Sequence, residues 1–153
     1  MIESAKKDVY MPEINIIVPG RHHLTTTYWG HYIGKVLAKD LCDTLSVEGT
    51  PLKFAPGLKA KNLIFPITSA NHKGTSRNPL DISKRTMLLD RFGQTLDRNT
   101  FQYSIDDITH SDNFASYIIE KIGIESQGRF RLSPENTIAL TSTPELIKQF
   151  QKL

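Results

Sequence analysis

The segment from Ser69 to Arg85, SANHKGTSRNPLDISKR, gathers the residue types that an anion site requires. Gly74 offers a backbone donor, Ser69, Thr75 and Ser76 offer hydroxyls, and Lys73 and Arg77 are cations. A helix carrying Lys84 and Arg85 in its first turns begins beyond them. Helix N-termini attract phosphate through unpaired N–H groups and the helix dipole. Helical side chains tilt back toward that terminus, so Arg85 can overhang the same spot from one turn in. The chemistry this suits is the gripping of phosphate oxygens.

The elements that must position these residues follow from hydrophobic period. Glu13 to Val18 is β-rich, is closed by Pro19-Gly20, and reads as a first strand. Ile33, Val36, Leu37, Leu41 and Leu45 recur at helical spacing, predicting a helix from about Trp29 or Gly30 to about Leu45. Val47 to Ala60 is a connecting loop. Leu63 to Thr68 is the second strand, although Pro66 is awkward in its interior. Asp81 can cap a helix to about Phe92. Phe101 to Ile105 makes a third strand. Ser111 or Asp112 caps a helix bearing Phe114, Ile118 and Ile122 and ended by Gly123. Thr137 to Leu140 is a fourth strand, and Pro144 to Leu153 a last helix with Pro144 in its first turn.

This alternation predicts one α/β domain over residues 1–153, a parallel sheet of four to five strands flanked by helices on both faces. Ligands on such sheets bind outside the carboxyl ends of the strands. The rule assembles four strand ends: Gly20-Arg21-His22-His23, the Ser69 loop, Asp106-Asp107, and Thr141-Ser142-Thr143. All five histidines (His22, His23, His31, His72, His110) fall in or beside loops on that edge.

Bulk properties narrow the ligand. With 153 residues the chain can bury roughly two-thirds of its unfolded surface, enough for a core. No apolar run approaches the roughly 18–20 residues of a membrane span, and the polar start MIESAKKDVYMPE has no secretory apolar region. A cytoplasmic location without membrane contact is expected. The lone Cys42 excludes an internal disulfide and a multi-cysteine zinc site, and reads as a core thiol. A net charge of +3 suits a small polyanion better than a nucleic acid, which calls for a denser basic stripe.

With these segments laid out, the chain resembles the nucleotidylyltransferase superfamily, and within it the archaeal-type nicotinamide mononucleotide adenylyltransferases. The residues that carry the resemblance are Gly20-Arg21, Trp29-Gly30-His31, Ser69-Ala70-Asn71, Thr75, Asn78-Pro79, Arg85, Ile105-Asp106-Asp107-Ile108, Phe114, and Thr141-Ser142-Thr143-Pro144. The order holds along nearly the whole chain. The sequence departs from the family at Tyr28, where an H-x-G-H turn has its first histidine, and in a turn about two residues longer. His22 or His23 would have to reach the vacated position. Ser142-Thr143 stands for glycine-asparagine. The chain also ends at Leu153, before the family's serine/threonine-arginine motif, so either it is truncated or part of the phosphate clamp is lacking.

The resemblance implies a Rossmann-like fold and transfer of AMP from ATP to nicotinamide mononucleotide, giving NAD and pyrophosphate. His31, Arg21 and Arg85 would be the catalytic residues. ATP would meet Gly20, Arg21, His22, His23, Gly30, His31, Thr141 and Thr143. The acceptor nucleotide would meet Ser69, Asn71, Thr75, Arg77, Asn78, Asp107 and Phe114, the last stacking on the base. Mg²⁺ would bind through the substrate phosphates, with no metal ligand set on the protein. ATP and nicotinamide mononucleotide or NAD are the expected partners, and a homo-oligomer is compatible with the sequence. Two other readings stay open: a related adenylyl- or cytidylyltransferase with another phosphate acceptor, and a nucleotide-binding module that has lost catalysis. Taken singly, His31 also fits a helix cap, Phe114 a core position, and Asp106-Asp107 a turn.

Overall fold

The computed structural model describes residues 13–22, 27–38, 40–46, 48–54, 56–71, 74, 80–96, 99–106, 113–141 and 143–153. Within these, the apolar runs and amphipathic stretches become β1 (Asn15–Ile17), α1 (Thr27–Ala38), a 3₁₀ turn (Leu41–Asp43), β2 (Asn62–Ile67) and α2 (Ile82–Gly93). There follow β3 (Asn99–Ser104), α3 (Phe114–Glu125), β4 (Thr137–Ala139) and α4 (Pro144–Gln151). Every residue of β1 and β2 is buried, which explains why each is apolar after its leading asparagine: both faces of a parallel sheet are covered.

The sheet order is β3-β2-β1-β4 and every pairing is parallel. Ile33 and Leu37 of α1 and Leu89 of α2 pack with Ile16, Val18, Leu63, Phe65 and Ile67 on one face. Ile118 and Ile122 of α3 and Leu146 of α4 pack with Ile17 and Ile64 on the other. The period of two along β1 and β2 decides which side chain joins which core. The chain thus winds outward from β1 through β3, then crosses back to β4 on the far side of β1. Right-handed crossovers require the helices to change face when the direction reverses, as they do here. The carboxyl ends of β1 and β4 therefore flank a topological switch point. The expected α/β architecture with helices on both faces is what the chain adopts, with four strands among the described residues.

At the other end of the sheet, Asn62 Nδ2 donates to Asn15 Oδ1 at 2.8 Å, both side chains buried. These residues are direct register partners, so slipping β1 against β2 would strand buried polar atoms.

Three local expectations change. The helix expected to reach Leu45 stops at Ala38, because Asp40 is extended (φ −64°, ψ 139°). Leu41 still reaches the core through the 3₁₀ turn, whereas Leu45 is 62% exposed. Second, α3 runs past Gly123 to Glu125. It ends where Gln127 turns left-handed (φ 56°), with Gln127 N–H on the Ile124 carbonyl and Gly128 N–H on the Gly123 carbonyl. That is a Schellman ending, displaced four residues from the first glycine.

Third, Pro66 sits inside β2, between β1 and β3. Val18 N–H bonds the Ile64 carbonyl and Gly20 N–H bonds the Pro66 carbonyl. In that ladder a residue at position 66 would donate to Val18 O, and proline has no N–H to give. His22 supplies it: its Nε2 lies 2.8 Å from Val18 O, and a carbonyl can only accept. His22 adopts φ 56° and packs its ring edge-on against Phe65. The proline is tolerated because a side chain replaces the missing donor.

Candidate functional site

The strand ends build a cleft of about 390 Å³ lined by Pro19, Gly20 and Arg21 after β1, Thr68 after β2, and Thr141 and Thr143 after β4. Phe114, at the start of α3, and Glu145, Leu146 and Gln149 of α4 close it. Its size falls in the range of small-molecule sites, and it lies where the winding reverses. The wall is chemically mixed. Arg21 brings an exposed cation, Thr68, Thr141 and Thr143 bring hydroxyls, Glu145 a carboxylate and Phe114 an aromatic face.

Local structure explains each placement. Gly20 pairs with Ile67 beyond the formal strand ends, and Thr68 N–H returns to the Gly20 carbonyl at 2.8 Å. This extra rung carries β1 and β2 up to the cleft floor. Thr141 Oγ1 accepts from Thr143 N–H at 3.3 Å, and Pro144 at the first position starts α4. Gln149, one turn beyond Glu145, accepts the Ala115 N–H on its Oε1 at 2.8 Å. It ties α4 to the first turn of α3, in place of a capping side chain at Asn113. Phe114 stacks against Tyr117 with centroids 6.0 Å apart and the planes 25° off parallel. A ring steadied from behind can offer its other face to the cleft.

Below this rim lies Arg85. It is fully buried, in the second turn of α2, whose Asp81 cap accepts the Lys84 N–H. Arg85 Nη1 donates to Thr68 O at 2.8 Å and to Arg21 O at 3.3 Å, and Nη2 donates to Ser69 O at 2.8 Å. One guanidinium thus joins the turns that follow β1 and β2. Both turns contain a non-glycine residue at positive φ, His22 (56°) and Ser69 (53°). Such conformations cost about 1–3 kcal/mol and persist only where neighbours impose them.

The residues expected from sequence divide into four groups. Gly20, Arg21, Thr141, Thr143 and Phe114 meet at the cleft. Arg85, Ser69 and His22 belong to the layer beneath: Ser69 is buried, and His22 serves Val18. His31 is exposed on α1 and Asn71 exposed in the turn after β2, and neither is among the described residues lining the cleft. Gly30 packs under Phe92, where a β-carbon would lie 3.1 Å from the ring. His23, Thr75, Arg77, Asn78 and Asp107 lie outside the described residues, as do the expected caps Ser111 and Asp112. Sequence reasoning passed over Thr68, Glu145 and Gln149. The last two were within reach, since a spacing of four on a helix starting at Pro144 puts them on one face.

A second hollow of about 520 Å³ lies between α3, α4 and β4, lined by Ile17, Ile119, Leu132, Ala139 and Phe150 among others. Though larger, it presents no charged side chain among its described lining residues, so it lacks the means to orient a polyanion. Among the described residues no group of three or more His, Cys, Asp or Glu side chains could hold a metal ion, and no helix is long and apolar enough to cross a membrane. No protein-family model, curated protein or solved structure matches the chain.

Proposed function

We propose that the chain is a nucleotidylyltransferase that moves AMP from ATP to nicotinamide mononucleotide, releasing pyrophosphate. The observation that carries this reading is the convergence at the switch point of Gly20, Arg21, Thr141, Thr143 and Phe114, residues singled out for the two nucleotides. The acceptor's 5′-phosphate oxygen attacks the α-phosphorus of ATP. A new P–O bond forms, the bond to the bridging α–β oxygen breaks, and its electron pair leaves with pyrophosphate. No protein nucleophile is needed, so the residues align and stabilise charge. Arg21 neutralises phosphate, the threonine hydroxyls hydrogen-bond its oxygens, Gly20 lets the backbone approach, and Phe114 receives a base. Mg²⁺ carried on the phosphates needs at most one or two carboxylates from the protein, and among the described lining residues Glu145 is the one that carries a carboxylate.

Incubating the protein with ATP, Mg²⁺ and nicotinamide mononucleotide, and measuring NAD and pyrophosphate together, tests the proposal. NAD formed in step with pyrophosphate supports it. Pyrophosphate formed only with pantetheine phosphate as acceptor, or with CTP and glycerol phosphate, would reassign the acceptor. A second reading, a nucleotide-binding module without catalysis, is favoured by the exposure of His31 on α1, away from the described cleft lining. ATP binding without pyrophosphate release would select it, and absence of nucleotide binding would remove both.

A further inference from the structure

We infer that Arg85 is a positioning residue for phosphate, acting through the backbone of two strand-end turns without contacting the ligand. The inference deepens the proposed function and rests on its reading of the cleft as a nucleotide site. Three observations carry it. Arg85 is fully buried, yet its guanidinium donates to Arg21 O, Thr68 O and Ser69 O, which belong to two different turns. Arg21 and Thr68 are themselves cleft residues, so two of the three carbonyls it holds belong to the lining. The turns it bridges carry the strained residues His22 and Ser69.

These facts have an electrostatic consequence. Carbonyl oxygens crowded at a cleft rim would repel phosphate. A guanidinium behind them draws those oxygens inward and leaves a positive charge in a region where water screens it weakly. Its planar fork can serve separate acceptors at fixed angles, which a lysine ammonium on a flexible stem cannot do. The cation is therefore engaged in shaping the floor, and among the described residues direct neutralisation falls to Arg21.

The test compares wild type with Arg85→Gln and Arg85→Lys by two readouts. Hydrogen exchange on ligand-free protein follows residues 20–22 and 68–71, and calorimetry follows ATP and adenosine. Both variants are expected to exchange faster in those two segments. They should lose about tenfold or more in ATP affinity while binding adenosine as wild type does. Arg85→Lys, which keeps the charge, should lose less than Arg85→Gln and decides the matter if the glutamine variant does not fold. Unchanged exchange in both segments would overturn the inference, as would equal losses for ATP and adenosine, the mark of a merely structural residue. If wild type binds neither compound, the nucleotide reading falls, and the exchange arm still judges whether Arg85 holds the turns.

Discussion

His22 and Pro66 stand in a donor-for-donor relation across β1. The imidazole Nε2 donates to Val18 O at 2.8 Å, the acceptor that the proline cannot serve. His22→Ala should leave that buried carbonyl short of a partner and cost about 1–3 kcal/mol. In a Pro66→Ala background the restored backbone N–H can take over, so the same substitution should cost clearly less. A double-mutant cycle by urea denaturation measures the coupling. Additive losses would disprove the relation.

Arg21 and Phe114 face the cleft with different chemistry and should separate phosphate from base. Arg21 is exposed, so Arg21→Ala should leave thermal stability within about 0.5 kcal/mol of wild type. Its ATP affinity should fall about tenfold with adenosine affinity kept. Phe114→Ala should instead weaken nicotinamide mononucleotide, by about 1–2 kcal/mol for a lost aromatic platform, with ATP and adenosine affinity kept. Calorimetry with the three ligands reads the pattern, and the reverse pattern would contradict the assignment.

Gln127 closes α3 with φ 56°, a conformation in which a side chain is strained. Gln127→Gly should stabilise the fold by roughly 1 kcal/mol, since glycine adopts this C-terminal position without the steric cost. For a domain of this size that is a rise of about 2–4 °C in melting temperature. A fall would show that the side chain makes a compensating contact.

Glu13 pairs with Lys61 at 2.9 Å, the two residues lying just before β1 and β2. The hydrogen bond from Lys61 holds its carboxyl below the usual 4.5, reinforced by the Lys61 charge and opposed by slight burial. A lowered folded-state pKa means that the stabilisation is present above 4.5 and is lost as pH falls through the lowered value. Exposed pairs contribute about 0–1 kcal/mol, so Glu13→Gln should be slightly destabilising at pH 7. The two proteins should converge in stability as pH falls below the lowered value. A gap that widens in acid would reverse the sign.

How much of this was legible in the sequence differs from element to element. The doubly covered parallel sheet was, because Asn62–Ile67 and Asn15–Ile17 are apolar on both faces beyond their leading asparagines and alternate with helical periods. Asp81 announced α2, and Pro144 announced α4, through local capping chemistry that needs no distant partner. So did the strand-end positions of Gly20, Arg21, Thr141 and Thr143, which follow from where each apolar run stops.

Other features depend on contacts between residues far apart in the chain. Arg85 looked like an anion ligand, since its helical position aims it at the loop. Which acceptors it meets was set by the approach of α2 to the ends of β1 and β2, and those acceptors are carbonyls. The sequence also gave no sign that His22 would stand in for Pro66, a match made across two strands and fixed by register. The meeting of Phe114, Glu145 and Gln149 with the β1 turn required β4 to lie beside β1, a choice of strand order that no local period encodes. Residue types and short spacings determine elements, because those forces act within a turn or two. Partners are decided by packing, because a buried donor takes whichever acceptor the folded chain brings within about 3 Å.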